Sequence, residues 1–129
     1  MTGRPAAARR DESFPKRELV RRRTEYQRCY REGRRRHGEM MILYAVDNGL
    51  EHPRLGITVS RKVGNSVVRH RVKRRLREIY RRWSERTQLP SMDLMVHLKP
   101  TAGRADFKAL EKELTRLLAT WLPRDPAVS

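Results

Sequence analysis

Apolar residues recur along this chain with two different periods, and those periods divide it into elements. Val68, Val72, Leu76, Ile79 and Trp83 are separated by four, four, three and four residues, the recurrence of one helix face. They predict a long helix to about Trp83, with Ser66 as its N-cap after the Gly64-Asn65 break. A second such stripe, Phe107, Leu110, Leu114, Leu117, Leu118 and Trp121, predicts a final helix from about Asp106 that Pro123 ends. A shorter helix is expected to carry Tyr26, Cys29 and Tyr30, capped by Thr24 and stopped by Gly33.

Strand signals lie between these helices. Met40 to Val46 is an apolar run, Asp47-Asn48-Gly49 is turn chemistry, and Leu55 to Ser60 follows, so the pair predicts an antiparallel hairpin. In the second strand Leu55, Ile57 and Val59 share one face, expected to be core, while Gly56, Thr58 and Ser60 share a small, polar one. Met92 to Leu98, between Pro90-Ser91 and Pro100, is a third strand. The expected order is helix, strand, strand, helix, strand, helix. It describes one α+β domain over residues 16–122, with residues 1–15 as a disordered basic arm and 123–129 as a flexible tail.

Charge changes the picture from fold to function. Lys and Arg total 31 against 15 Asp and Glu, a formal +16 in 129 residues. Such a chain repels itself unless a polyanion supplies counter-charge, which makes nucleic acid the leading partner and an anionic membrane the next. One cysteine, Cys29, excludes an intramolecular disulfide and fits a reducing compartment, where it serves as a small buried apolar residue. No apolar run approaches the roughly 18 residues that span a bilayer, and no signal-peptide core precedes the domain; the expectation is a cytoplasmic protein without a membrane partner.

His37, His52, His70 and His97 have no metal-ligand spacing, so neither a metal site nor a protein-bound cofactor is expected. Glu78, Asp93 and Glu111 form no pair suited to two-metal chemistry, and Glu78 is expected to pair with Arg82 or Arg74. Neither a phosphate loop nor a nucleophile elbow occurs, so no catalytic residue is assigned.

The first two turns of the long helix hold Arg69, Arg71, Lys73, Arg74 and Arg75. A helix N-terminus is already partly positive, which makes this an unfavourable place for cations. A phosphate reverses the sign, because free N–H groups, guanidinium forks and the dipole then converge on it. The competing reading is a solvated face, and five basic residues at the wrong helix end argue against it. Tyr26 and Tyr30, four residues apart, share a helical face on which unstacked bases can stack; taken singly, each tyrosine is as readily a core residue. Thr58 and Ser60, with Lys62 beyond them and His97 and Lys99 on the last strand, are placed to line a groove floor.

The stretch from Arg54 to Arg77, RLGITVSRKVGNSVVRHRVKRRLR, resembles the signature of the bacterial ribonuclease P protein family: a strand ending in Ser and two basic residues, then Gly-Asn-Ala-Val, Arg-Asn-Arg and Lys-Arg. Ser66 stands where that family has Ala, and His70 where it has the central Asn. Imidazole cannot offer an amide's acceptor and donor together. The resemblance implies a two-layer α+β sandwich with a left-handed βαβ crossover, against the usual hand. It implies an accessory subunit of an endoribonuclease whose RNA, with Mg2+ bound to it, performs the hydrolysis, and it requires no protein partner. It places Arg69, Arg71, Lys73 and Arg74 on the catalytic RNA, with Arg61, Lys62, Asn65, His70 and Arg77 on the same surface. It places Tyr26, Tyr30 and Tyr44 against the 5′ leader of precursor tRNA, with Thr58, Ser60 and Lys99 beside them. The alternative is a ribosomal or RNA-chaperone protein that uses the same helix; a duplex-DNA binder is weaker, since nothing marks a dimeric helix-turn-helix.

Overall fold

A computed structural model describes residues 16–123; the arm at 1–15 and the tail from 124 onward lie outside them. Three helices, α1 (Arg23–Glu32), α2 (Ser66–Arg82) and α3 (Phe107–Ala119), pack on four strands, β1 (Arg34–His37), β2 (Met41–Asp47), β3 (Arg54–Thr58) and β4 (Met92–Leu98). The sheet order is β1-β2-β4-β3; β4 runs antiparallel to β2 and parallel to β3, and β1 runs antiparallel to β2. The α+β class expected from the sequence holds.

The expected hairpin does not form. The turn after β2 exists, with Gly49 at φ +70° and the Asn48 side-chain oxygen accepting the Leu50 N–H at 2.8 Å, yet β2 and β3 are separated by β4. The reason lies in β4, where every residue but His97 is buried. A strand apolar on both faces belongs at the centre of a sheet, and here it makes seven residue pairs with β2 and five with β3.

The element order also needs correction, because β1 precedes β2. Its sequence, Arg34-Arg35-Arg36-His37, shows no apolar alternation. Pairing with β2 holds it, as does Trp121 below: the guanidinium carbons of Arg34 and Arg36 lie 4.7 and 4.2 Å from the Trp121 ring centre.

Two cores result. The large one fills the space between one sheet face and α2 and α3, and includes Leu43, Leu55, Leu76, Ile79, Leu94 and Leu114. The small one lies under α1 and holds Val20, Cys29, Tyr44 and Met95. The face of β3 expected to be small and polar is therefore covered at Gly56. A Cβ there would lie 2.8 Å from Met95 Cε and 3.0 Å from Tyr26 Cε1.

Two caps shift by one or two residues. Asn65, not Ser66, caps α2, its side-chain oxygen accepting the Val68 N–H at 3.0 Å. Arg22, not Thr24, precedes α1, where Glu25 Oε1 accepts the Arg22 N–H at 3.1 Å; the carboxylate one turn in substitutes for a short polar cap. Asp106 caps α3 at 2.8 Å to the Ala109 N–H.

Candidate nucleic-acid interface

Register places the α1 side of the sheet in rows. One row across it is Thr58, His97, Ile42 and His37; the next is Gly56, Met95, Tyr44 and Arg35. Tyr30 reaches down onto both. Its hydroxyl lies 2.5 Å from Thr58 Oγ1 and 3.1 Å from His97 Nδ1, and Thr58 Oγ1 lies 3.1 Å from the same nitrogen. Its ring meets Tyr44 edge to face, with centres 4.9 Å apart. Three side chains from three strands thus fix one ring, which keeps 39% of its surface exposed.

The three tyrosines differ in role. Tyr44 is 9% exposed and supports Tyr30 from below. Tyr26 lies against Gly56, in a recess that Leu19, Val20 and Arg77 share. Burial pushes the phenols of Tyr26 and Tyr30 up, with the Arg77 charge opposing this at Tyr26 and the Thr58 hydroxyl at Tyr30. Ser60 lies exposed beyond the end of β3, its hydroxyl accepting the Lys62 N–H at 3.3 Å. Lys99 donates to the Gly38 carbonyl at 2.7 Å, so its charge ties down the β1–β2 turn.

A second surface is built on α2. At 100° per residue, Arg69, Lys73 and Arg77 fall within about 80° of arc on one flank, Arg71 and Arg75 fall on the other, and Arg74 points outward with His70 nearby. None of them makes an ion pair among the described residues, whereas at the far end Glu78 pairs with Arg81 at 2.9 Å and Arg82 at 2.6 Å. The expected Glu78–Arg82 pair is therefore present, and the unneutralised charge lies on the residues before Glu78, reaching back to the N-terminus. There the Nε atoms of Arg69 and Arg71 are buried without a protein partner. Burial, with the neighbouring Arg77 charge, pulls the Lys73 ammonium down.

Arg61 and Lys62 are exposed in the turn before α2. Asn65 is occupied as a cap, which gives it a structural task. A groove beside it is lined by Lys62, Val68, Thr101 and Arg104; Arg104 was invisible as a site residue because only the fold brings it there. Among the described residues no three His, Cys, Asp or Glu side chains cluster as metal ligands do, and no helix is long and apolar enough to cross a membrane.

A fixed aromatic ring over a sheet, beside a helix of unneutralised cations, defines a small RNA-binding domain. Comparison with known proteins narrows the class. A model of the Ribonuclease P family matches residues 14–121. The ribonuclease P protein component of Desulfovibrio desulfuricans is 41% identical over 110 residues, covering 81% of this chain and 83% of that one. That of Alkaliphilus metalliredigens is 39% identical over 94 residues, covering 73% and 84%. Among solved structures, the RNase P protein of Thermotoga maritima superposes with a TM-score of 0.71 at 30% identity, covering 80% of this chain and 96% of that one. The Staphylococcus aureus protein gives 0.74 at 26%, covering 82% and 98%. The chain belongs to the ribonuclease P protein family. Its role is that of the protein subunit of this tRNA-processing endoribonuclease, in partnership with ribonuclease P RNA; these matches do not favour the ribosomal or RNA-chaperone alternative.

Proposed function

We propose that α2 docks the chain on ribonuclease P RNA while the α1 face of the sheet holds the 5′ leader of precursor tRNA, in the cytoplasm. The RNA subunit, with Mg2+ bound to it, then hydrolyses the phosphodiester that releases the mature 5′ end. The protein positions and neutralises; it contributes no acid, base or nucleophile.

The observation that carries this reading is the fixed, half-exposed Tyr30 ring. Its hydroxyl is tied to Thr58 and His97 and its edge to Tyr44, so a base that stacks on it meets a surface already ordered, and little rotamer entropy is lost on binding. Tyr44 acts mainly as its support, while Tyr26, one turn earlier on α1, packs over Gly56. Arg69, Arg71, Lys73, Arg74 and Arg77, which have no acidic partner among the described residues, supply the charge for the catalytic RNA, with His70, Arg61 and Lys62 at the margin of that surface.

Tyr30→Ala tests the cleft. In holoenzyme already assembled with its RNA, the substitution is expected to cost about 1–3 kcal/mol of affinity for precursor tRNA and nothing for mature tRNA, which has no leader. Equal losses for the two substrates reject the leader role.

A further inference from the structure

The edge strand β1 has no part in the reading above. Its three consecutive arginines make no ion pair among the described residues. Strand alternation divides them. Arg34 and Arg36 turn to the α3 side, where both sit over Trp121. Arg35 and His37, both exposed, turn to the α1 side. There Arg35 pairs across with Tyr44, the ring that supports Tyr30, and His37 pairs across with Ile42 in the row that continues through His97 to Thr58. The floor that fixes Tyr30 therefore runs uninterrupted to two basic side chains at the sheet edge.

We propose that Arg35 and His37 form the far bank of the cleft and hold the phosphate backbone of leader nucleotides beyond those stacked at Tyr30. The proposal rests on the leader reading above and extends it to a second contact. Three geometric facts support it. The way along β3 is closed, since Tyr26 of α1, together with Val20 and with Met95 of β4, fills the space over Gly56. Lys99, the other cation at this end of the floor, is committed to the Gly38 carbonyl, which leaves Arg35 and His37 to meet a backbone crossing it. Stacking of Arg34 and Arg36 on Trp121 pins the strand, so Arg35 projects from a fixed edge. Charge on an edge strand also deters pairing with other chains, but that role needs no particular face, whereas the alternation puts Arg35 on the aromatic side.

From Thr58 to His37 the sheet spans three strand spacings, about 14 Å, so a short leader ends before reaching β1. The test uses holoenzyme reconstituted from the full chain and its RNA, binding mature tRNA and precursor tRNAs with leaders of about two and about ten nucleotides. Arg35→Ala is expected to weaken binding of the long-leader substrate about fivefold, to leave the short-leader substrate within about twofold, and to lower the salt slope for the long leader by about one. Arg35→Lys, which keeps the charge, is expected to restore most of the loss. No effect of leader length overturns the proposal. So does an equal loss for all three tRNAs, which marks a contact to the catalytic RNA instead. Tyr30→Ala, measured in parallel, keeps the two readings apart: a leader-dependent loss there with none at Arg35 removes the far bank and leaves the cleft standing.

Discussion

Arg54 joins three elements through one guanidinium. It meets both oxygens of the buried Asp93 on β4 at 2.7 Å and Glu25 on α1 at 3.1 Å, while Glu25 also takes the N–H groups of Arg21 and Arg22. The start of α1 is thereby fixed over the sheet, and with it the placement of Tyr30 further along the helix. Burial works against the Glu25 carboxylate, but the Arg22 N–H and the Arg54 charge outweigh it and hold its pKa below the ordinary 4.5. A depressed carboxylate stabilises the fold fully above its unfolded pKa, and that stabilisation is lost as pH falls through the folded value. Glu25→Gln is therefore expected to be less stable than the parent at neutral pH, with the gap closing below about pH 4. Urea denaturation at pH 7 and pH 3 checks this; an unchanged gap at pH 3 removes the charge from the account. None of this network was legible in the sequence, since Arg54, Asp93 and Glu25 come from distant segments and no local pattern links them.

Elements were legible in proportion to how far their own side chains specify them. The stripes of α2 and α3 were readable because each presents apolar residues every three or four positions to a core that needs them. β4 was readable as a strand from its composition, but its central place rests on pairing with segments far away in the chain, and the short loop after β2 favoured a local hairpin over a distant partner. β1 was invisible: its support comes from β2 and from Trp121, more than eighty residues away. The binding helix was legible through charge in the wrong place for the dipole, while the division of its arginines between two flanks gives a sharper expectation. Arg69 and Arg71 lie about 160° apart around α2 and share no partner, so Arg69→Ala and Arg71→Ala are each expected to weaken assembly with the RNA by about 1–3 kcal/mol, and the double variant by close to the sum. Binding measured with circular dichroism as a control checks it; strong non-additivity places both on a single phosphate.

At the scale of the molecule, basic surfaces line α2 and the β1 edge, with the aromatic floor between them. Several carboxylates are used elsewhere, Asp93 and Glu25 on Arg54, Glu78 on the last turn of α2, and Glu113 on the N–H groups of Glu39 and Met40 at 3.0 and 2.8 Å. Affinity for the catalytic RNA is accordingly expected to fall steeply with salt, with a log–log slope set by the phosphates contacted, each contributing about 0.7–0.9. A titration from low to physiological ionic strength measures it, and a flat response contradicts the charge-driven reading.

The central position of β4 has a further consequence in time. When the ribosome has delivered β1, β2, β3 and α2, the sheet still lacks the strand that joins its two halves, and the apolar faces of β2 and β3 have no neighbour between them. Only when Met92–Leu98 has emerged can the seven pairs to β2 and five to β3 form. Sheet closure is therefore a late, long-range event of the kind that slows folding and leaves strand edges open in the meantime. The same arginines that await RNA in the finished protein keep these partly made chains apart by mutual repulsion.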